Sequence, residues 1–530
     1  MTRAAAGCSL LLAVAALFVA CRDDGGGAAP SPTVTVAGQT PAPAVCEGDL
    51  AAEPPRTLIS GGFEVDYLAD RFSLATGDFN GDGFDDALIG APLGDGANDG
   101  RLNSGEAYII FGGDDLPAEI DALDYDGFVV YGTAPQDNLG LSVAAGDING
   151  DGLDDALIGA RFASPGGRAN AGETYVIFGR SNLRGVVDTA DGSADVTVSG
   201  VAPGDFSGIL VASAEVTGDD NEDILIGAIG AGGPDDARPR SGELYVVPGA
   251  TGLPAVIDLA DGEPFFTVFG ALTDDALPGR LAAGDVDGDG QAEIAIGVPQ
   301  GTPGGDPALA GAGLVYLVDV PEGGGSLDLA LDEPLLTVRG ARLRDGLGHA
   351  LAVADVDGDG SDDIAASARD ADGPAGDRNN AGEVYVFHGG DGLSGVWDLR
   401  ADAPDARITG NDTDDSLGFS LAAADVTGGD EADLIVGAPL ADSCGNARAE
   451  GGEVYVLDGG DVGDGVDLRS DEVKPVLFGA EAEDELGFSL GAGDFDGDGE
   501  AEIIAGALLA DGPGNERPDA GEAYIVDAPD

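Results

Sequence analysis

Residues 139–178 read LGLSVAAGDINGDGLDDALIGARFASPGGRANAGETYVIF and contain the elements that recur along this chain. An apolar stretch leads into the acidic nonapeptide Asp147–Asp155, and a second apolar stretch leaves it. A Gly-Glu-x-Tyr element then follows a loop rich in glycine and asparagine. Runs of four to seven apolar or β-branched residues between Gly, Asp and Asn are typical of β-strands. The stretch therefore predicts successive strands joined by one acidic turn and one longer loop.

The acidic nonapeptide recurs at a nearly fixed period along the chain. Intact copies begin at Asp78, Asp147, Asp285, Asp355 and Asp494, and degraded copies begin at Glu215 and Asp425. Tyrosines recur at the same period, at positions 108, 175, 245, 316, 385, 455 and 524, and we expect these rings to pack between adjacent sheets. A fixed period of this kind indicates a repeat architecture.

Seven units with four strands each predict an all-β fold, a seven-bladed β-propeller of four-stranded antiparallel blades. The last unit ends after Tyr524-Ile525-Val526 without its fourth strand, and an unassigned strand, Thr57-Leu58-Ile59-Ser60, precedes the first unit. We therefore expect residues 57–60 to join the last blade and close the ring. Residues 57–530 are the predicted propeller domain.

The composition limits the classes of partner. The 530-residue chain has a formal net charge of −76, and 43% of its residues are hydrophobic, which is enough for an extensive core. Phosphate binding needs the opposite charge, so nucleic acid is excluded as a partner. Five bound divalent cations would compensate only a small part of the acidity. We expect the rest to form a solvated surface, with an acidic docking face for a cationic partner as the alternative.

The N-terminal region has the pattern of an export signal. The apolar run Leu10–Ala20 follows a short basic segment and is too short to span a bilayer, so residues 1–20 are predicted to be a signal peptide. The segment Phe18-Val19-Ala20-Cys21 resembles a bacterial lipobox and predicts a lipid anchor on Cys21 as the only attachment to a membrane. Residues 21–56 are rich in Gly and Pro and are predicted to be a flexible tether.

These features place the protein outside the cytoplasm, as a lipoprotein of the cell envelope or, alternatively, as a secreted protein. Cys46 and Cys444 could form a disulfide in an oxidising compartment. The sequence alone leaves open whether these two cysteines lie within bonding distance.

Alternating carboxylates on a glycine-containing loop indicate calcium sites, because Ca²⁺ prefers six to eight oxygen ligands. Positions 1, 3, 5 and 9 of each intact copy supply side chains, position 7 supplies a carbonyl, and a glycine at position 6 permits the bend. The predicted ligands at these five Ca²⁺ sites are Asp78, Asn80, Asp82 and Asp86; Asp147, Asn149, Asp151 and Asp155; Asp285, Asp287, Asp289 and Glu293; Asp355, Asp357, Asp359 and Asp363; and Asp494, Asp496, Asp498 and Glu502.

The EF-hand is an alternative calcium-binding motif, and two copies of the nonapeptide are degraded. An EF-hand would require a glutamate at position 12 and flanking helices, but position 12 is Ile or Ala within a predicted strand, which excludes that motif. The third copy has Asp220 in place of the glycine, and the sixth has Thr427 and Gly429 at ligand positions. Calcium binding by these two degraded copies is left open.

Further motifs flank the acidic loops. They are Phe269-Gly270 and Phe478-Gly479, Leu139-Gly140-Leu141-Ser142 and Leu486-Gly487-Phe488-Ser489, and Gly90-Ala91-Pro92 and Gly437-Ala438-Pro439. With these motifs the chain resembles the FG-GAP repeats of the integrin α-subunit propeller and its bacterial relatives over residues 57–530. Ile364-Ala365-Ala366-Ser367-Ala368 departs from the pattern, because it loses the glycine and proline of the last motif. The resemblance implies adhesion, although a shared fold does not fix a function.

No catalytic signature accompanies the repeats. The two histidines, His349 and His388, lack a neighbouring nucleophile pattern and are expected to be structural. The predicted function is a non-catalytic, calcium-binding adhesion scaffold that binds a protein or glycan ligand at the cell surface. The long loops after the second strands, such as 92–104 and 369–381, are the expected recognition elements. Two alternatives are a lectin-like, carbohydrate-binding propeller and a calcium-dependent enzyme that cleaves polysaccharides or phosphoesters.

Overall fold

The computed structural model describes residues 48–528 except 53, 54, 64, 98, 99, 263, 391, 430, 464, 471 and 472. The predicted signal peptide, the lipid anchor at Cys21 and the disulfide partner Cys46 lie outside the described residues. Cys444 is disulfide-bonded, and its partner also lies outside them. Among the described residues, none of the helices has the length and hydrophobicity that a bilayer-crossing segment requires.

The described residues are almost entirely strands, turns and loops. The first strands are β1 (Thr57–Ser60), β2 (Leu74–Gly77), β3 (Asp86–Ala91), β4 (Glu106–Ile110), β5 (Glu119–Asp121), β6 (Phe128–Tyr131), β7 (Leu139–Gly146), β8 (Asp155–Ala160), β9 (Glu173–Ile177), β10 (Gly185–Asp188), β11 (Val196–Ser199) and β12 (Leu210–Ala214). The next are β13 (Asp223–Ala228), β14 (Glu243–Val247), β15 (Val256–Asp258), β16 (Phe266–Phe269), β17 (Arg280–Gly284), β18 (Glu293–Val298), β19 (Leu314–Val318), β20 (Gly325–Asp328), β21 (Leu336–Arg339), β22 (Leu351–Ala354) and β23 (Asp363–Ala368). The last are β24 (Glu383–Phe387), β25 (Gly395–Asp398), β26 (Ala406–Thr409), β27 (Ser420–Ala424), β28 (Asp433–Ala438), β29 (Glu453–Leu457), β30 (Val466–Asp467), β31 (Leu477–Phe478), β32 (Leu486–Gly493), β33 (Glu502–Ala507) and β34 (Glu522–Val526). Two one-turn helices are α1 (Ser443–Asn446) and α2 (Gly459–Val462).

These strands form seven sheets, each built on four antiparallel strands. Blades 1 to 7 contain, in this order, β2-β3-β4-β6, β7-β8-β9-β11, β12-β13-β14-β16, β17-β18-β19-β21, β22-β23-β24-β26, β27-β28-β29-β31 and β32-β33-β34-β1. The first strands of neighbouring blades contact one another, so they surround the axis of the ring. The predicted seven-bladed, all-β propeller is confirmed.

The ring closes where the sequence predicted. β1 pairs antiparallel with β34, from Thr57 opposite Ile525 to Ser60 opposite Glu522. The N-terminal segment 57–60 thereby supplies the fourth strand of blade 7, and its predicted role is confirmed.

Six of the seven sheets contain a fifth strand that the sequence analysis did not predict. In blade 1 this strand is β10, which runs parallel to β6 and belongs to the connection between the third and fourth strands of blade 2. Each blade is thus extended by chain from the next one. In blade 6 the same position is taken by Asp49, which forms a parallel bridge to Phe478. The ring therefore closes at a second place, and Asp49, which was assigned to the tether, contacts the propeller.

A periodic salt bridge holds the fifth position in six blades. In blade 5 the Arg378 guanidinium donates to both carboxylate oxygens of Asp467 and to the Gly410 carbonyl. The equivalent pairs are Arg101–Asp188, Arg168–Asp258, Arg238–Asp328, Arg448–Asp49 and Arg517–Asp121. Blade 4 has Ala308 at the arginine position. We call these ion pairs the blade latches, because each joins one blade to a segment of the next.

Seven hydrophobic clusters fill the spaces between neighbouring blades. In one of them Tyr385 of blade 5 packs with Leu317 and Val338 of blade 4. The seven periodic tyrosines are only 3–7% exposed, so the prediction that they pack between sheets is confirmed. In six repeats the tyrosine hydroxyl also bonds to the glutamate two residues earlier, as Tyr455 Oη does to Glu453 Oε2 at 2.7 Å.

Candidate functional site

Each acidic loop joins the first and second strands of a blade, and we call this end of the ring the acidic-loop face. In the first loop the Asp78 carboxylate accepts hydrogen bonds from the N–H groups of Gly81, Asp82 and Gly83, at 2.6, 3.2 and 3.0 Å. Gly83 has a φ of 90°, a left-handed conformation that a side chain would strain. The local sequence therefore folds the turn around its first carboxylate, as the predicted role of position 6 requires.

The carboxylate at position 9 lies deepest in each turn. Asp86 is fully buried and accepts hydrogen bonds from Phe79 N and Gly112 N at 3.2 and 2.8 Å. Burial raises the pKa of Asp86 to about 8, and it raises the pKa of Asp155 and of Glu293 to about 7. A divalent cation beside these groups would favour their ionised forms.

Three of the five intact loops bring three predicted ligands together. The ligand atoms of each trio lie within 4.8 Å of one another in Asp285, Asp287 and Asp289; in Asp355, Asp357 and Asp359; and in Asp494, Asp496 and Glu502. Asp285 Oδ1 is buried and has no hydrogen-bond partner among the described residues. An oxygen-only donor set with such an atom suits Ca²⁺, so these residues fit the predicted ion.

The first two loops have the same turns but an asparagine at position 3. Asn80 Nδ2 lies 3.3 Å from Asp86 Oδ2, and Asn149 Nδ2 lies 3.1 Å from both oxygens of Asp155. A flip of either amide would present its oxygen in place of its nitrogen. The predicted ligands Asp82 and Asp151 lie on the exposed side of these turns, each accepting one backbone hydrogen bond.

Two residues near the acidic loops were missed by sequence reasoning. His388 Nδ1 lies 3.1 Å from Asp357 Oδ2, and His388 forms a group of potential metal ligands with Asp357 and Asp363. The Arg56 guanidinium donates to Asp496 and lies 3.6 Å from Glu502 Oε1. Arg56 would therefore compete with a cation for the carboxylates of the seventh loop. The indication of Arg56 in the sequence is its position directly before the predicted closing strand.

The two degraded loops keep the turn but lose ligands. Asp220 has a φ of 72° at the position where intact loops have glycine. Glu215 Oε1 accepts hydrogen bonds from Thr217 N and Asp219 N, both at 3.1 Å. In the sixth loop Asp425 likewise accepts from Gly428 N and Gly429 N. Calcium binding by these two loops stays an open prediction.

The loops after the second strands emerge at the opposite end of the ring, which we call the long-loop face. A groove of about 650 Å³ opens there where blades 7 and 1 meet. Its walls include Phe63, Val65, Leu102 and Leu123, which are 39–61% exposed, beside Arg517. Exposed apolar side chains grouped in a groove are typical of interaction surfaces.

Family comparison agrees with the repeat architecture. The FG-GAP repeat model matches residues 72–110, 139–177, 278–318, 347–387 and 486–526. These segments lie in blades 1, 2, 4, 5 and 7, which are the blades with intact acidic loops. The chain is therefore an FG-GAP repeat protein, and its repeats form a β-propeller.

Similar proteins include phospholipases D and integrin alpha chains. Phosphatidylinositol-glycan-specific phospholipase D is 29% identical in Bos taurus and 30% identical in Rattus norvegicus, over 34% and 39% of this chain. Integrin alpha-PS2 of Drosophila melanogaster is 37% identical over 20% of this chain. The matches span 21%, 24% and 8% of the lengths of these three relatives. The structure of BBS1N in complex with ARL6DN has a TM-score of 0.42, 11% identity and coverage of 88% of this chain and 94% of that one, a similarity too low to support a conclusion.

Proposed function

We propose that this protein is an exported, non-catalytic binding scaffold whose propeller is stabilised by calcium and whose long-loop face holds the ligand. The main support for this proposal is that the two faces of the ring carry different groups of side chains. One face repeats carboxylate turns that fit a cation, and the other carries a groove lined by exposed apolar side chains. Ligand recognition by loops on a rigid scaffold is common among repeat proteins.

Calcium would act on stability in this proposal. The ion would bind Asp285, Asp287 and Asp289, and the equivalent residues of the other intact loops, and would screen the repulsion between their charges. It would thereby clamp the turn between the first two strands of each of those blades.

Export is supported by the N-terminal sequence and by the cysteine chemistry. The disulfide at Cys444 suits an oxidising compartment. In this proposal the protein is a lipoprotein of the cell envelope or is secreted, and it binds a protein or glycan at the cell surface.

Calorimetric unfolding with calcium and with chelator tests the role of the metal. Calcium at 100 times its dissociation constant should add about 2.7 kcal/mol per occupied site, so the melting temperature should rise. Asp355→Asn should reduce this rise, whereas Asp261→Asn, at an exposed position outside the acidic loops, should not. Equal melting temperatures with calcium and chelator would contradict the calcium proposal.

Binding is tested by affinity capture from the native cell envelope, with wild-type protein and with Leu102→Asp. Leu102 is 61% exposed in the groove, so the substitution should weaken capture and leave the melting temperature unchanged. The matched control is Leu331→Asp, because Leu331 is 82% exposed elsewhere on the surface. Equal capture by all three proteins would contradict the assignment of the binding face.

Glycan binding is a second candidate, favoured by the name of the phospholipase relatives, which specifies a phosphatidylinositol-glycan. A glycan array would separate it from protein adhesion. The enzymatic alternative predicts calcium-dependent turnover of polysaccharide or phosphoester substrates in a hydrolase and lyase assay.

A further inference from the structure

Four arginine side chains converge near the ring axis. Arg71 precedes β2 and Arg280 begins β17, whereas Arg161 and Arg369 directly follow β8 and β23. Contacts reach across the ring: Arg71 Nη2 lies 2.8 Å from His349 Nε2, and Arg280 Nε donates to the His349 carbonyl at 2.8 Å. These contacts join blades 1, 4 and 5, so the group occupies the centre of the propeller. We call it the axial arginine cluster.

Among the described residues, two carboxylates, Asp370 and Asp70, interact with these four guanidinium groups. Arg369 Nε lies 3.4 Å from Asp370 Oδ1, and Asp70 interacts electrostatically with the other three arginines. Arg161 Nε is buried and has no hydrogen-bond partner among the described residues. The four guanidinium groups therefore outnumber these two carboxylates at the centre of a chain whose formal net charge is −76.

The like charges of the cluster lie close enough to shift the pKa values of its members. Burial, followed by repulsion from Arg369, lowers the pKa of Arg71 to about 9. Burial and the arginines Arg71, Arg369 and Arg280 lower the pKa of His349, so the imidazole is neutral and adds no positive charge. An anion at this position would relieve the repulsion.

Aromatic rings hold the guanidinium groups in place. Arg280 lies over the Phe72 ring at 3.9 Å from its centroid, and Arg71 and Arg369 lie 5.3 and 5.1 Å from the centroid of Phe419. A guanidinium group that stacks on an aromatic ring can bind an oxyanion in a bidentate manner through its N–H groups. These ring contacts restrict the orientations of the three guanidinium groups in the absence of a ligand.

The cluster is reached from the long-loop face. The Arg369 side chain is 17% exposed and that of Asp370 is 42% exposed. Arg161 and Arg369 are also the first residues of the long loops 161–171 and 369–381, which follow the second strands of blades 2 and 5. Solvent therefore reaches the cluster from the long-loop face, which is the proposed ligand-binding face.

We propose that the axial arginine cluster binds a small oxyanion, a phosphate, sulfate or carboxylate group, at the long-loop face. This inference rests on the proposed binding function and names the chemistry of its ligand. The anion is compact because the acidic surface of the protein repels a polyanion, an effect that acts over about 8 Å at physiological ionic strength. The anion is either free in solution or the charged group of a larger ligand such as an acidic sugar.

Isothermal titration of the full-length protein with sodium phosphate, sodium sulfate and sodium glucuronate tests the inference at constant ionic strength. Glucose serves as the neutral counterpart of glucuronate. We expect at least one of the three anions to bind, and glucose not to bind. Binding of phosphate or sulfate alone would identify a free anion, and stronger binding of glucuronate would identify an acidic sugar.

Arg369→Gln and Arg161→Gln should each weaken the anion affinity about tenfold or more, which corresponds to the loss of one charged hydrogen-bonded contact. The matched control is Arg240→Gln, which removes the same charge from a side chain that is 66% exposed in a surface ion pair. Circular dichroism melting identifies a variant that fails to fold, and the other variant then decides the result.

Absence of binding by all three anions, or equal weakening by Arg240→Gln, would overturn the inference. Capture of an envelope partner that depends on Leu102 would still be observed in that case. The failure of the anion site is therefore distinguishable from the failure of the proposed binding function.

Discussion

At the scale of single residues, the glycine at position 6 decides whether an acidic turn forms without strain. It has a φ of 87–95° in the five intact loops. The third loop holds Asp220 in a similar conformation, with a φ of 72°. This backbone requirement distinguishes the third loop from the five intact loops independently of the carboxylates.

Gly360→Ala isolates that requirement. An added Cβ at Gly360 meets nothing within 4 Å, so the cost should come from the left-handed backbone alone, about 1–2 kcal/mol of unfolding free energy. The control is Gly323→Ala, which also meets nothing within 4 Å but has no left-handed φ. Denaturant unfolding in chelator measures both variants. Equal stabilities would show that the turn tolerates a side chain.

Glu453 allows a prediction about pH. Burial raises its pKa to about 7, whereas an unfolded glutamate has a pKa of about 4.3. Between these two values the folded state holds the proton more tightly, so the contribution to stability falls as pH rises from about 4 to about 7.

Glu453→Gln should remove this loss and still accept the hydrogen bond from Tyr455. At pH 8 the variant should be more stable than the wild type, by an amount of the order of 1–3 kcal/mol, and at pH 5 the two should be nearly equal. Thermal melting in chelator at both pH values measures this. Glu322→Gln, at an exposed position, should show no such pH dependence. A pH-independent difference for Glu453→Gln would contradict the buried-carboxylate explanation.

At the scale of elements, the blade latches hold together strands that would otherwise meet only through short parallel edges. β30 contributes only Val466 and Asp467 to blade 5. The Arg378 side chain, 8% exposed, fixes the end of this strand through Asp467.

Arg378→Met should therefore cost about 1.5–3 kcal/mol, because it removes the charged hydrogen bonds of a buried guanidinium to Asp467, whose side chain is 33% exposed, and to the Gly410 carbonyl. Arg240→Met, which breaks an ion pair exposed on both sides, should cost less than about 1 kcal/mol. Chemical denaturation measures both. Similar losses for the two variants would mean that the latch is no more than a surface ion pair.

At the scale of the whole molecule, closure by β1 joins blade 7 to blade 1. Ile59 is 1% exposed and packs with residues from both of these blades, including Ile504 and Ile89. The closing strand is therefore part of a core between blades and does more than complete a sheet edge.

Ile59→Ala should lower the unfolding free energy by about 2–5 kcal/mol. Because the ring is closed, calorimetry should show one cooperative transition displaced to lower temperature. Val186→Ala, at a position 59% exposed in β10, should leave the melting temperature nearly unchanged. A separate early transition in Ile59→Ala would show that blade 7 opens alone.

Features that recur in every repeat are predictable from the sequence. Contacts between residues that are far apart in the chain are not. The four antiparallel strands of each blade, the seven tyrosines and the closure by residues 57–60 follow from alternation and spacing within one repeat. The fifth strands do not, because a segment such as Gly185–Asp188 is short, and Val186 is exposed, so it lacks the usual alternation. The latches were detectable from their period near 70 residues. The axial arginine cluster was not, because Arg71 and His349 stand 278 residues apart.

The fifth strands impose an order on biosynthesis. Blades 1 to 5 each receive a fifth strand from the following blade, so none of these five is complete until part of the following blade has been synthesised. Strand β1 is made first, yet it waits for Glu522–Val526 at the far end of the chain. At 5–20 residues per second this wait lasts roughly 20 to 90 seconds, during which an unpaired edge stays exposed. A nascent chain released before its final strand would leave the antiparallel edge of β1 unpaired, with only the short parallel strand β5 beside it, and it would be a substrate for chaperones and proteases.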